Sequence, residues 1–144
     1  MSIPKEQILD FLPSGSPSLL YYRIHKNYRG KHSPDYKSPS AFKYSPDDKK
    51  MSTNWNKHCN NLQEARSLGA PQPPENYGLV SLLVRNIRIN PDFDKLSIEH
   101  KPLIENPAHS NIIGLFKYEE ISEDAYQEVQ VLLSRMAKWE IPFE

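Results

Sequence analysis

The segment IEHKPLIENPAHSNIIGLF (residues 98–116) concentrates titratable and polar side chains directly before a run of apolar residues. It contains His100 and His109, and Pro102 and Pro107 interrupt the chain between them. An imidazole titrates near neutral pH, so two of them at one rim of a sheet could perform acid–base catalysis. The alternative is that each histidine bonds to carbonyl groups and fixes a proline-rich loop.

Two predicted strands position these histidines. LSIEH is a strand that ends at His100, and His109 leads into a strand predicted from NIIGLFKY. Asn106 precedes a proline and therefore starts a turn, because this position avoids the helical region. We expect His100 and His109 to flank one cleft, with Arg23 in reach of the same ligand and Asn106 in contact with it.

A second polar pair lies on the strand predicted from SLLYYRIH. Arg23 and His25 are two residues apart and so share one face of that strand. A guanidinium forks onto phosphate or carboxylate groups, and His25 could assist it. The alternative is an exposed edge strand.

The stretch SPSAFKYSPDDKKMSTNW places small hydroxyl and amide residues beside Phe42 and Trp55. This pattern is typical of a ligand-holding loop in which aromatic rings stack on a ring of the ligand. The binding residues predicted in it are Ser40, Lys43, Ser52 and Asn54. In the alternative interpretation, the aromatic rings only fix the loop to the core.

Metal and cofactor signatures are weak. His100 and His109 lack a helical spacing, no second pair of Cys or His completes a pattern, and His58 and Cys59 are only neighbours. Neither of the glycine-rich phosphate loops occurs. We expect no metal site and no bound cofactor, and NAD enters only as a candidate substrate.

The net charge is zero, yet the charges are unevenly distributed. Residues 21–58 hold nine Lys/Arg against three Asp, whereas residues 90–144 hold five Lys/Arg against eleven Asp/Glu. This asymmetry indicates either an anion-binding face opposite an acidic partner surface, or two segments that neutralise each other. It keeps nucleic-acid binding through residues 21–58 as an alternative, although the whole chain has no basic excess.

Location is constrained by what the chain lacks. One cysteine, Cys59, fits a reducing compartment. The N-terminal residues have no basic region followed by a continuous apolar stretch, and no apolar run reaches the roughly 18 residues of a membrane span. We expect a soluble, cytoplasmic protein without membrane contact.

Hydrophobic patterns predict a single α+β domain over residues 1–144, with a small mixed or antiparallel sheet, flanking helices and long proline-rich loops. Residues 1–20 would form an N-terminal helix (PKEQILDFL) and linker, residues 21–118 the sheet and functional loops, and residues 122–140 a C-terminal helix. YGLVSLLVRNIRI is the strongest strand signal, and NKHCNNLQEARSLGA predicts a helix that ends at Gly69.

YYRIHK, SPSAFKYS, MSTNW, YGLVSLLV and EHKPLIENPAHSNIIG, in this order, resemble a widespread group of small uncharacterised bacterial proteins. The group shares an early Arg, Ser-x-Ala-Phe-Lys, and Asn-Pro-Ala-His, which here is residues 106–109 and is the most specific part. The resemblance spans roughly residues 21–114 and implies positions without a reaction.

YYRIHK followed by STNW is also similar to ADP-ribosyltransferase-like toxin domains that degrade NAD. Those domains carry a Gly-Arg in the second segment and a later catalytic Glu, and neither has a clear counterpart in this chain.

Two hypotheses of different classes follow. The first is a small bacterial effector-type enzyme acting on a nucleotide, NAD or an RNA phosphate, in which Arg23 holds the anion and His100 or His109 transfers the proton. The second is a non-catalytic accessory or protein-interaction subunit, for example of a toxin or defence system. The geometry of Arg23, His100 and His109 discriminates between them.

Overall fold

The computed structural model of the chain describes residues 3–30 and 35–143. Its centre is a six-stranded sheet in the order β4-β5-β2-β1-β3-β6, and every neighbouring pair is antiparallel. The strands are β1 (Leu19–His25), β2 (Lys50–Trp55), β3 (Tyr77–Leu83), β4 (Ser97–His100), β5 (His109–Ile113) and β6 (Lys138–Ile141).

The described residues also form four α-helices. They are α1 (Leu62–Ser67), α2 (Val84–Ile89), α3 (Leu115–Ile121) and α4 (Glu123–Met136). Helices and an antiparallel sheet that share one core confirm the predicted single-domain α+β fold.

One face of the sheet forms the main core. Alternate strand residues point to it, and α2, α3 and α4 cover it with their own apolar positions. The buried strand residues on this face are Leu20, Tyr22, Ile24, Met51, Trp55, Val80, Leu82 and Ile112.

The opposite face of the sheet is only partly covered. Helix α1 packs there, with Ala65 and the β3 residue Leu79 both fully buried. Tyr21 and Arg23 of β1 point to this face because they alternate with the core residues of the strand. This is the face on which a ligand could be held.

Two predicted strands are shorter than the apolar runs suggest. The run after His109 leaves the sheet at Gly114, whose φ is +106° and whose Cβ would lie 2.0 Å from the Lys95 carbonyl oxygen. Leu115 and Tyr118 are then buried at helical spacing. Likewise, β3 ends at Leu83 and the chain continues as α2.

The predicted C-terminal helix over 122–140 divides into two elements. Ser122 caps α4, because its hydroxyl accepts the N–H of Ala125. The helix ends at Met136, and Lys138–Ile141 adds to the edge of β3 as strand β6.

The prediction of an N-terminal helix is wrong. Residues 3–9 have no regular secondary structure and lie along the molecule. Ile8 is buried in the main core, and the backbone N–H of Glu6 bonds to His100 instead of to a helical carbonyl. Leu9 and Phe11, which a helix would have placed on its apolar side with Ile8, are exposed. Tertiary contacts therefore override the local helix signal.

Parts of the basic segment, residues 21–58, pack on the core. Phe42 is fully buried, Trp55 is 3% exposed, and Trp139 donates a hydrogen bond to the Asp35 carbonyl oxygen. Residues 31–34 of this segment lie outside the described part of the chain.

Candidate functional site

An open cavity of about 560 Å³ lies on the partly covered face of the sheet, a size typical of small-molecule sites. We call it the Arg23 cavity. Among its lining residues are six of the predicted site residues, namely Arg23, Lys43, Ser52, Asn54, Asn106 and His109. The other lining residues named below are Tyr21, Tyr44, Lys50, Gly69, Tyr77, Leu103 and Glu105.

Arg23 is fixed in this cavity by two contacts. Its Nη1 donates a 2.6 Å hydrogen bond to the Leu68 carbonyl oxygen, and its guanidinium lies 5.8 Å from the ring centroid of Tyr77. Burial lowers the pKa of the guanidinium, which nevertheless stays charged in proteins. Within the described part of the chain, no carboxylate forms an ion pair with it. The half-buried cation is therefore held in place without a neutralising partner among the described residues.

The free edge of Arg23 suits an oxyanion. Its Nε–H and Nη2–H groups have no hydrogen-bond acceptor among the described residues. These two groups form one side of the planar guanidinium and can bind two oxygens of a phosphate or carboxylate at once.

His109 lines the same cavity, and its Nε2 has no hydrogen-bond partner among the described residues. Its Nδ1 lies 2.8 Å from the Lys101 carbonyl oxygen, which can only accept, so Nδ1 carries the proton. In the neutral imidazole Nε2 is then the basic nitrogen, which is the state that a general base requires.

Asn54 and Asn106 form the floor between Arg23 and His109. Asn106 Nδ2 donates to Asn54 Oδ1 at 2.8 Å, and Asn54 Nδ2 donates to the carbonyl oxygens of Ala65 and Leu68. The Asn106 Oδ1 accepts the N–H of Ala108. Both asparagines are buried and their hydrogen bonds join three segments of the chain, so their role is to build the cavity.

The strand register determines how far apart the side chains of the cavity lie. Asn54 of β2 pairs with Tyr21 of β1 on one side and with His109 of β5 on the other. Directly opposed side chains have Cβ atoms about 4.5–5.5 Å apart. Since Arg23 and Asn54 share the Leu68 carbonyl oxygen as acceptor, the guanidinium and the imidazole flank Asn54 from two sides.

Two further cations line the cavity in different states. Lys50 forms a 3.1 Å ion pair with Glu99, whereas the Lys43 ammonium has no ion-pair partner among the described residues and lies 5.2 Å from the ring centroid of Tyr28. Burial alone would raise the pKa of Glu99, but hydrogen bonds from Asn111 and Lys50 lower it to about 2. Lys50 is thus largely neutralised, and Lys43 is available to an anion.

Two predicted binding residues lie outside the cavity lining. His25 points to the same face as Arg23, but its Nε2 bonds to Gln72 and its Nδ1 accepts the N–H of Asn27. Ser40 bonds to Ser38 in a short 3₁₀ turn. Local hydrogen bonds occupy both side chains.

His100 does not join the cleft, contrary to our expectation. It is 1% exposed, its Nε2–H donates to the Pro107 carbonyl oxygen at 2.8 Å, and its Nδ1 accepts the Glu6 N–H at 3.0 Å. His100 pairs with Ser110 of β5, and directly paired residues point to the same face. His109, one residue before Ser110, must therefore point to the other face. His100 is the loop brace of the alternative interpretation.

Glu6, His58 and His100 form a separate cluster in which one potential ligand atom from each residue lies within 4.8 Å of the others. The His58 Nε2–H donates to Glu6 Oε2 at 2.6 Å, and the Lys57 ammonium contacts the other carboxylate oxygen. To bind here, a metal ion would have to break these hydrogen bonds and the hydrogen bond from the Glu6 N–H to His100. The existing bonds instead fasten the N-terminal segment to the sheet edge.

Sequence reasoning missed several lining residues. Tyr21 lies two residues before Arg23 on β1, and Lys50 lies two residues before Ser52 on β2. Alternation alone would therefore have placed each of them on the same face as that predicted site residue. Leu103 and Glu105 lie in the turn that closes with paired bonds between Leu103 and Asn106, and no sequence signal marked them. Cys59 is no nucleophile candidate, since burial raises the pKa of its thiol to about 12.

No protein-family model, curated protein or solved structure matches the chain. The likeness to the Asn-Pro-Ala-His group and to ADP-ribosyltransferase-like domains therefore stays a prediction. Within the described residues, each helix is too short or too polar to cross a lipid bilayer.

Proposed function

We propose that the protein binds a nucleotide-type ligand in the Arg23 cavity and acts on it by acid–base chemistry at His109. The observation that carries the proposal is the half-buried Arg23, held by Leu68 and Tyr77 with its bidentate edge free and without an acidic partner among the described residues. A preorganised cation of this kind supports binding of a phosphate oxyanion.

The rest of the cavity supports an aromatic, phosphorylated ligand. Lys43 provides a second cation, and the rings of Tyr21 and Tyr44 provide surfaces for a base. His109, with the proton fixed on Nδ1, presents a basic Nε2 to the ligand. A nucleotide, NAD and an RNA phosphate all share this chemistry, and His100 takes no part in it.

The class of protein is part of the proposal. We infer a small bacterial effector-type enzyme of the cytoplasm, the class that the resemblance and the single cysteine support. The accessory-subunit alternative predicts a chain that binds no nucleotide, and the binding experiment below separates the two.

The proposal is tested by calorimetric titration with AMP, NAD and a short RNA, followed by product analysis after incubation. We expect Arg23→Ala to weaken binding at least about tenfold, because a charge-assisted hydrogen bond contributes about 1.5–3 kcal/mol. Arg88→Ala is the matched control, since Arg88 pairs with Asp10 away from the cavity.

His109→Ala tests the chemical step separately. It should leave binding close to that of the native chain and reduce turnover by about 10²–10⁴-fold, the usual contribution of a general acid or base. Native affinity for all three ligands that is too weak to measure would contradict the proposal.

A further inference from the structure

We infer that the Arg23 cavity selects a terminal phosphate monoester on a mononucleotide-sized ligand, and that a phosphodiester within a polymer is excluded. This inference rests on the proposed function and narrows it to one substrate class. It comes from the depth of Arg23, the shape of its free edge and the charge of the lining.

The first step is the depth of Arg23. Its guanidinium is half-buried between the Leu68 carbonyl oxygen and the ring of Tyr77. A Cβ at Gly69 would lie 3.9 Å from Nη2 and 3.1 Å from the Asn106 side-chain nitrogen, so the wall beside the guanidinium is close. An anion that binds Arg23 therefore lies near the Gly69 backbone, the Asn106 side chain and the Tyr77 ring, and we call this space the recess.

The second step is the shape of the phosphate. A monoester carries three non-bridging oxygens and one substituent, so it can present two oxygens to Nε and Nη2 while its single ester bond leaves toward the opening. A diester has only two non-bridging oxygens, and its two substituents leave in different directions. Within a recess bounded by Gly69 and Tyr77, one of those substituents would meet the wall.

The third step is the charge of the lining. Arg23 and Lys43 have no ion-pair partner among the described residues, Lys50 is paired with Glu99, and Glu105 is the acidic residue of the lining. A phosphate monoester carries about −1.5 to −2 charges near neutral pH. A diester carries only one, so the two available cations favour the monoester.

The position of His109 determines which part of the ligand lies nearest to its imidazole. The imidazole lies across Asn54 from the guanidinium, so a phosphate bound by Arg23 is not the group nearest His109. The nucleoside part of the ligand extends from the recess past Asn54 toward the imidazole. The phosphate is then an anchor, and His109 faces the sugar or the base.

The experiment compares 5′-AMP with 3′,5′-cyclic AMP, which has the same base and sugar but a diester phosphate. NAD and an oligoadenylate without a terminal phosphate are titrated in parallel. We expect 5′-AMP to bind at least tenfold more tightly than each of the other three. Arg23→Gln should bring 5′-AMP and cyclic AMP to within about twofold of each other, whereas Arg88→Ala should preserve the native preference.

The outcomes separate this inference from the proposed function. Equal or tighter binding of cyclic AMP, NAD or the oligonucleotide would overturn the monoester assignment and leave nucleotide binding standing. Undetectable binding of all four would overturn both. Should Arg23→Gln fail to fold, the comparison of 5′-AMP with cyclic AMP on the native chain decides the question by itself.

Discussion

His100 and His109 flank one loop, and their ring nitrogens make different contacts. His100 uses both ring nitrogens to hold backbone groups, one in the N-terminal segment and one in the loop before His109. His109 uses one nitrogen for this purpose and leaves the other toward the cavity. Removing each side chain therefore has different consequences.

We predict that His100→Ala lowers the free energy of unfolding by about 2 kcal/mol or more, because it leaves the Glu6 N–H and the Pro107 carbonyl without partners and opens a buried space. His109→Ala is the matched comparison and should cost under about 1 kcal/mol, since it removes one bond at an exposed site. Urea unfolding of the three proteins measures both values. Similar losses in the two variants would contradict the assignment.

At the residue scale, six of the predicted site residues line one cavity, whereas His100 lies on the other face of the sheet. Arg23 was predicted from alternation along its strand, and Asn54 from small polar residues beside aromatic rings. Asn106 and His109 were predicted from turn chemistry and a strand end. The prediction for His100 was wrong because the face to which a strand residue points depends on the register of the hairpin. A shift of one residue moves the side chain to the other face. The pairing of His100 with Ser110 is set by the loop between them, whose turn the sequence does not specify.

The elements were predicted best where β-branched and aromatic residues alternate. The strands predicted from SLLYYRIH and LSIEH are present as β1 and β4. The apolar runs after Tyr77 and His109 were read as longer strands because strand and helix signals cannot be separated in short apolar runs. For the run after His109, Gly114 marks the point where the strand ends. A glycine is needed there because the backbone passes close to the Lys95 carbonyl oxygen, a contact that only the tertiary structure reveals.

Helix α4 carries a prediction at this scale. Leu133 is fully buried against the sheet, while its neighbour Leu132 is only partly buried. We expect Leu133→Ala to destabilise the protein by about 2–5 kcal/mol, as a cavity in a packed core does. Glu128→Ala on the exposed side of the same helix should change stability by no more than about 0.5 kcal/mol. A thermal melt of the Leu133 variant that coincides with the native curve would show that α4 is not part of the core.

Helix α4 also buries a polar side chain. Gln130 is 7% exposed and donates a hydrogen bond to the Phe42 carbonyl oxygen. This bond connects α4 to the chain at Phe42, directly before the lining residues Lys43 and Tyr44. The position of this part of the lining therefore depends on α4. Periodicity alone cannot predict such a polar anchor, because its partner is distant in sequence.

At the scale of the whole molecule, opposite charges connect distant parts of the chain. Lys50 of the basic segment pairs with Glu99 of the acidic one, and Lys5 of the N-terminal segment contacts the same carboxylate. This supports the interpretation that the two segments neutralise each other at this point. In the Arg23 cavity, by contrast, Arg23 and Lys43 lack such a partner among the described residues.

The N-terminal segment (residues 3–9) is attached to the edge strand β4 through Glu6 and His100, two residues whose protonation depends on pH. Burial lowers the pKa of His100 below its ordinary value of 6.5. The hydrogen bond to the Pro107 carbonyl oxygen and the charge of Glu6 oppose this lowering, whereas His58 and Lys57 add to it. The hydrogen bond from Lys57 lowers the pKa of Glu6 below 4.5, assisted by His58. Lys5 and Glu99 are the other charged groups at this edge.

Both shifts give stability the same dependence on pH. An unfolded chain binds a proton at His100 more readily than the folded one, so stability falls as the pH drops below about 6.5. The contribution of the Glu6 carboxylate is present above about 4.5 and is lost as the pH falls through its lowered folded value. A protonated His100 can no longer accept the Glu6 N–H, so the N-terminal segment should detach first.

We therefore predict that the melting temperature falls steadily from pH 7 to pH 5 in the native protein. His100→Gln, which cannot titrate, should start from a lower melting temperature at pH 7 and change less over the same interval. Hydrogen exchange of the Glu6 amide, corrected for its intrinsic pH dependence, should accelerate in acid before the amides of β1 do. Equal slopes of melting temperature against pH in the two proteins would show that His100 does not control the attachment of this segment.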